Sequence, residues 1–496
     1  MGVLSRPRWW IFAALIMILV LTFTLTSTAF ASAAGVSLFH ISSDPYTNST
    51  SQHQTEVEPD SYANGSTIVA ATQVGRFAGG GASNIGWVTS TDNGTTWQGG
   101  FLPNTTVFAT PPGTYDRISD PSVTYDVAHK RWMISALAIS NTLGSAVGAA
   151  VVVSISSDGG LTWNPPVEIA NANGGFFDKD WIACDNISTS SFYGHCYSEW
   201  DIASNGDLVQ MSTSSDGGNT WSAGQATADN ASGLGGQPLV QPNGTVVVPF
   251  LSSGLLGLAS SISAFTSTDG GGSWNSSVTI ASQTDHQVAS IRTEPLPSAE
   301  IDSAGKVYVA WQDCRFESGC SANDIVMSTS TDGNTWSAVQ RIPTDAVGSN
   351  VDHFIPGLAV DPSTSGSTAH LALAYYYYPN ANCSTSTCQL EVGFVSSVEG
   401  GKSWSTNTTL TPSAMNLTWL ANTTDGYMVG DYISTSFSDG KAFPLFITAS
   451  APSGSQLNEA LFTVKVGLPA LGGTNAAPDE QVAFSHPASL VRHTAF

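Results

Sequence analysis

The sequence predicts an all-β protein, a β-propeller of four-stranded antiparallel blades, with seven blades favoured and six as the alternative. Three observations carry this expectation. An eight-residue pattern of hydroxyl, acid, glycine and tryptophan recurs six times, its acids 53 to 67 residues apart. Between copies, short runs rich in Val, Ile, Tyr and Trp alternate with Gly, Asn and Asp, as strands alternate with turns. A strand-like run at residues 36–42 stands alone at one end of the chain, and a set of three without a box stands at the other. One supersecondary unit per repeat at this period marks a propeller or related array.

The repeated stretch is STDNGTTW (90–97), followed by SSDGGLTW (156–163), SSDGGNTW (214–221), STDGGGSW (267–274), the shorter STDGNTW (330–336) and SVEGGKSW (397–404). Its acids are Asp92, Asp158, Asp216, Asp269, Asp332 and Glu399. An acid in a tight turn accepts backbone N–H bonds, glycine supplies positive φ, and the tryptophan offers a large apolar plate to bury. Each copy is therefore a hairpin staple, looser where box five is shortened and where box six carries Glu. The S-x-D-x-G-x-x-W pattern resembles the Asp-box, or BNR, repeat of the sialidase superfamily. That resemblance puts each box at the turn between the third and fourth strands of a blade, as a staple of the fold and not a catalytic element.

In chain order, residues 1–34 carry Arg6 and Arg8, an apolar stretch from Trp9 to about Leu25 and the exit Ala29-Phe30-Ala31, the layout of a secretory signal or, uncleaved, a signal anchor. The propeller is expected over 35–467. Innermost strands are EVEPDSYA, SDPSVTYD, DWIACD, QPLVQP, EPLPSAEID and FIPGLAVDP; second strands are STIVAATQ, RWMISALAIS, TVVVPFL, KVYVAWQ and AHLALAYYYY. After box six, GDYISTSF, KAFPLFITA and EALFTVKV form the last unit, which VSLFHIS (36–42) completes. From Leu468 to Phe496 the chain reads as a flexible tail.

Charged residues make up only 11% of the chain and the net charge is −23, from scarcity of Lys and Arg. Such a surface excludes nucleic acid, which demands a basic footprint. It suits an extracellular glycan or cell-surface polysaccharide, met by a monomer outside the cell or on its surface, with membrane contact only through the N-terminal segment. Sequons such as Asn48, Asn104, Asn186, Asn416 and Asn422 would be decorated in a glycosylating host. Six cysteines fall in close pairs, Cys184 with Cys196, Cys314 with Cys320 and Cys383 with Cys388. Nearest-neighbour disulfides are expected in an oxidising compartment. Other connectivities remain open; a metal site is the rival reading, without C-x-x-C spacing to support it. No metal and no cofactor are expected.

If strands alternate up and down, the starts of first strands and the ends of second strands share the face opposite the boxes. That face gathers Glu56, Glu58, Arg76, Asp116, Arg117, Asp120, Asp178 to Trp181, Glu199 to Asp201, Arg292, Glu294, Asp313, Arg315, Asp352, His353, Tyr375 to Tyr378, Asp431 and Tyr432. Arginine forks match carboxylates, and sialidases hold a substrate carboxylate with an arginine triad. The resemblance thus implies substrate binding by Arg76, Arg117, Arg292 and Arg315, with Asp180 and Trp181 beside them. It further implies Tyr432 as nucleophile, Glu294 as its partner, and Asp313 or Asp120 as acid/base. The segment WQDCR (311–315) is similar to a sialidase strand ending, whereas the family's Arg-Ile-Pro opening is missing near residue 55 and occurs only at 341–343. Three readings stand: a sialidase-like glycoside hydrolase; a non-catalytic propeller binding glycan or protein with an aromatic rim of Trp181, Trp200 and the tyrosine run; and a hydrolase on the same scaffold using two carboxylates such as Asp180 and Glu294.

Overall fold

The six boxes fold as related turns, and in the first three the bonds are the same. In the computed structural model, which describes residues 35–142, 145–253, 260–473 and 475–476, Ser90 Oγ donates to Asp92 Oδ1 (2.8 Å) and accepts from Gly94 N (2.9 Å). Asp92 accepts from Thr96 N (2.8 Å) and Thr96 Oγ1 (2.6 Å), and Trp97 Nε1 donates to Gly94 O (3.2 Å). The same set recurs around Asp158 and Asp216. Box five is not the loose turn its shortening implied. Asp332 accepts from Thr335 N (2.7 Å), Asn334 N (2.9 Å) and Ser330 Oγ (3.1 Å). In box six the longer Glu399 reaches Ser403 Oγ (2.7 Å), and Ser397 Oγ still accepts from Gly401 N.

Among the described residues the chain is all-β, its helical elements being single 3-10 turns. Strands Glu56–Asn64, Thr67–Arg76, Ala82–Ser90 and Gln98–Phe101 pair antiparallel in sequence order. The unit of Arg117–Asp126, Arg131–Thr142, Ser145–Ser156 and Val167–Asn171 repeats that order and touches the first through Ala82 and Ile118. Further units start at Asp178–Cys184, Leu239–Val240, Ser298–Ile301 and Asp352–Val360, where inner strands were expected. The last sheet joins Ser434–Ser438, Lys441–Ser453 and Gln456–Val464, and Leu38–His40 completes it by pairing with Gln456–Val464, as the lone early strand implied. Strand pairing continues past residue 467: Leu468–Pro469 pairs with Lys441 and Ala442, and Asn475–Ala476 with Ser403 and Trp404. The expected signal segment and residues 477–496 lie outside the described residues, in which no helix is long and apolar enough to cross a membrane.

The apolar core lies between sheets. Val69 and Ala71 pack with Ile134 and Val152 of the next unit; Val247 and Ile262 pack with Val307 and Val326. One cluster holds Ala372 and Phe394, then Phe443 and Phe446 of the last sheet, then Ile68 and Val88 of the first. Alternating side chains on each strand thus face two neighbours, which is why the strands read as nearly continuous apolar runs. The disulfides form as expected, Cys184–Cys196, Cys314–Cys320 and Cys383–Cys388. The first ties register partners on adjacent strands.

Candidate functional site

Four inner strands share a local feature that builds the site. Glu58, Asp120, Lys179 and Ile355 have φ of 56°, 49°, 35° and 51°, and the strand register shifts at each. The left-handed region is uncommon for residues with a Cβ, at a cost of about 1–3 kcal/mol each. A bulge bends its strand and re-aims a side chain. Proline follows at positions 59, 121 and 356. Since Ile355 shares the geometry, the bulge belongs to the repeat, and charge was placed on it in three units.

The re-aimed side chains meet. Lys179 Nζ lies 3.6 Å from Glu58 Oε1 and 3.5 Å from Asp120 Oδ1, and donates to Asp431 Oδ2. Arg292 closes a two-pronged bond on the same carboxylate, Nε to Oδ1 at 2.9 Å and Nη2 to Oδ2 at 2.6 Å. Asp431 is brought there by Gly430, whose φ is 145° and where a Cβ would stand 2.8 Å from Glu58 N. Arg292 is held by its backbone N–H on Tyr427 O (2.7 Å). Gln73 Nε2 bonds Glu58 and reaches Ser119 Oγ at 3.0 Å.

Burial would raise the Asp431 pKa, but Arg292 and Lys179 outweigh it and hold the carboxyl well below the usual range. Burial opposes the charge on Lys179, and Asp120, Asp431 and Glu58 override it, so the ammonium stays protonated. Burial, then Asp431, pushes half-buried Glu294 up to about 7. Burial and Asp120 push Asp178 to about 6. Asp180, Glu199 and Asp201 are raised well above their ordinary values by burial, which the Ser135 hydroxyl beside Asp180 and the Gly236 N–H beside Glu199 offset only in part. Asp180, Trp181, Gln237, Leu296, Ser298 and Tyr432 are among the residues around a small pocket of about 20 Å³ above this cluster. A larger cavity of about 160 Å³, between Ile41–Ser43 and Gly99–Phe101, has no ionisable side chain in its wall.

The other candidates are dispersed. Arg76, 2% exposed, donates to Gly81 O (2.8 Å) and Met428 Sδ (3.3 Å). Arg117 donates to Gly80 O (2.9 Å) and covers the Phe77 ring. Arg315 pairs with Asp313, Nε to Oδ1 at 2.9 Å and Nη2 to Oδ2 at 2.7 Å, pinning the loop that Cys314–Cys320 closes. Tyr432 donates its hydroxyl to Pro121 O (3.0 Å) and meets Trp181 edge-on. Burial, then Glu58 and Asp120, keep that hydroxyl protonated far above its ordinary range. The aromatic rim does not form as expected: Trp200 and Tyr375 to Tyr378 are 0–7% exposed and pack in the core between sheets. Asp324, Asp345 and His353 come close enough to hold a metal ion. The guanidinium of Arg341 already serves two of them, 2.7 Å from Asp324 and 2.5 Å from Asp345.

Glu58, Lys179 and Asp431 are the residues of the cluster that sequence reasoning put on the right face without a role. The available signal was an acid-proline pair recurring at the start of inner strands, Glu58-Pro59 and Asp120-Pro121, with Lys179 in the equivalent position.

Residues 192–355 match the family described as BNR repeat-like domain. No match was found among curated proteins. Similar solved structures include a protein of unknown function from Dyadobacter fermentans (16% identity, 74% of this chain and 100% of that one, TM-score 0.46). An intramolecular trans-sialidase from Ruminococcus gnavus is 16% identical over 83% of this chain and 92% of that one, TM-score 0.39. An ulvan lyase, from a polysaccharide lyase family, is 11% identical over 88% of this chain and 96% of that one, TM-score 0.49. Three of the six boxes, at 214–221, 267–274 and 330–336, lie inside the segment that matches the BNR repeat-like family.

Proposed function

We propose that the protein is a secreted or surface-attached seven-bladed propeller that hydrolyses glycosidic bonds of extracellular glycans, using Asp180 and Glu294. The blade count is supported by core clusters that link each sheet to the next and the last to the first. The observation that carries the chemistry is Asp180, buried in the pocket wall with little to bond it beyond the Ser135 hydroxyl, and sharing the neighbours Lys179 and Asp178 with Glu294, a partly buried carboxyl of different acidity. Two carboxyl groups pushed apart in pKa divide the acid and base roles between them. Asp180, its acidity weakened by burial, gives its proton to the leaving oxygen. Glu294, ionised above about pH 7, attacks the anomeric carbon or activates water. Carboxyl separations near 5–5.5 Å favour retention and about 6.5–9.5 Å inversion, so NMR of the first-formed anomer reads which path operates.

The sialidase-type assignment, Tyr432 as nucleophile with Glu294 as partner and Asp313 or Asp120 as acid/base, has less support. Tyr432 would have to break its bond to Pro121 O and lose a proton amid acids, and both prongs of the Arg292 fork are spent on Asp431. The small pocket volume favours a further reading, a glycan-binding surface without catalysis. The test is a panel of fluorogenic glycosides, sialosides included, at acid and neutral pH. Turnover that vanishes in Asp180→Asn and Glu294→Gln and persists in Tyr432→Phe is the expected result. Turnover lost only in Tyr432→Phe would restore the tyrosine mechanism, and none on any glycoside would leave the binding surface.

A further inference from the structure

The cationic groups of the site already hold a carboxylate, and it is the protein's own. Arg292 gives both prongs of its fork to Asp431. Lys179 donates to the same group and faces Glu58 and Asp120. Arg76 is buried, with donors on Gly81 O and Met428 Sδ. An incoming sugar meets the Asp180 carboxyl, the paired Lys179 and Asp431, the Ser298 hydroxyl, the apolar faces of Trp181 and Leu296, and Gln237, with Glu294 close enough to Asp431 for its charge to be felt. Gln237 Oε1 already accepts from Ala299 N (2.7 Å), which leaves its NH₂ group as the part of this side chain able to bond a ligand. Hydroxyl and acetamido groups pair with such a wall, because each can donate to a carboxylate or accept from a carboxylic acid or amide. A sugar carboxylate meets the ionised Asp431 there, which already takes the Nε and Nη2 donors of Arg292 and the Lys179 ammonium.

Resting on the hydrolase reading above, we propose that this site selects sugars without a carboxylate, neutral hexoses or N-acetylhexosamines, and that Asp431 sets the choice by occupying Arg292 and Lys179. Binding is measured separately from turnover, by saturation-transfer NMR on the full chain with methyl glycosides of neutral hexoses, N-acetylhexosamines, glucuronic acid and N-acetylneuraminic acid. The expected result is binding of at least one neutral glycoside, with the two carboxylated ones at least ~10-fold weaker. Equal or tighter binding of the carboxylated glycosides, or binding of none, overturns the proposal. Asp431→Asn, which frees the Arg292 fork, is expected to gain carboxylated-sugar binding. If that variant does not fold, Glu294→Gln, which removes one repelling charge, is expected to narrow the wild-type gap, and an unchanged gap counts against the proposal. Selective binding without turnover would sink the hydrolase reading and leave the selection standing.

Discussion

Lys179 and Arg292 can be buried together only because Asp431 lies between them. Removing one partner of a buried ion cluster leaves charge uncompensated, so Asp431→Ala is expected to destabilise by about 3–5 kcal/mol, read by urea unfolding. Replacing Lys179 by Met in the same chain should recover part of that loss, which a double-mutant cycle measures. Glu294 titrates differently, its pKa raised to about 7 by burial and Asp431. If its ionised form works, kcat/KM climbs as pH rises toward 7 and levels above it. Glu294→Gln should flatten this limb and lower activity by roughly 10²–10⁴-fold. Much of this was legible, since alternation put Glu58, Asp120, Lys179, Arg292, Glu294 and Asp431 on one face. Which of them touch was not. Arg292 and Asp431 are 139 positions apart and meet through a backbone bond to Tyr427 and a glycine at 430 that no local pattern announces.

At the scale of elements, the box turn is a local device and was legible in full, its bonds spanning at most four positions. Partial burial of Asp158 is outweighed by bonds from Thr162 Oγ1 and N, bringing its pKa to about 2; in Asp332 the Thr335 and Asn334 N–H groups do the same. A depressed acid contributes stability above its unfolded value, near 4, that disappears as pH falls through about 2. Asp158 is exposed, so Asp158→Ala should cost no more than about 1 kcal/mol at pH 7 and less at pH 1.5, compared by denaturant unfolding at the two values. The inner-strand bulges were not read, although the acid-proline pairs are plain in the sequence, because a bulge exists only relative to a partner strand. The tyrosine run misled for a similar reason. Tyr375 to Tyr378 alternate toward two neighbouring sheets, so both faces of the strand are interior.

For the molecule as a whole, buried acids set the response to pH. Burial raises Glu56, Asp60 and Asp324 each to about 7. A raised acid binds its proton more tightly when folded, so its stabilisation is complete below the unfolded value, near 4, and is lost as pH rises through 7. The contribution of Asp431, with its depressed pKa, is flat over this window. The Tm should thus be higher at pH 5 than at pH 8, and calorimetry finding the reverse would contradict these burials.

The pairing of Leu38–His40 with Gln456–Val464 also governs how the molecule answers to force. Leu38 faces Val464 and His40 faces Phe462, so both chain directions leave the ladder at the same end, beside the bond from Lys465 N to Ser37 O. Tension between the two ends then loads these bonds one at a time, as in a zipper, instead of all together in shear. Pulled between Ser37 and Lys465, the protein should open at this seam at low force, whereas force applied beyond residue 467 first meets the pairings of Leu468–Pro469 and Asn475–Ala476.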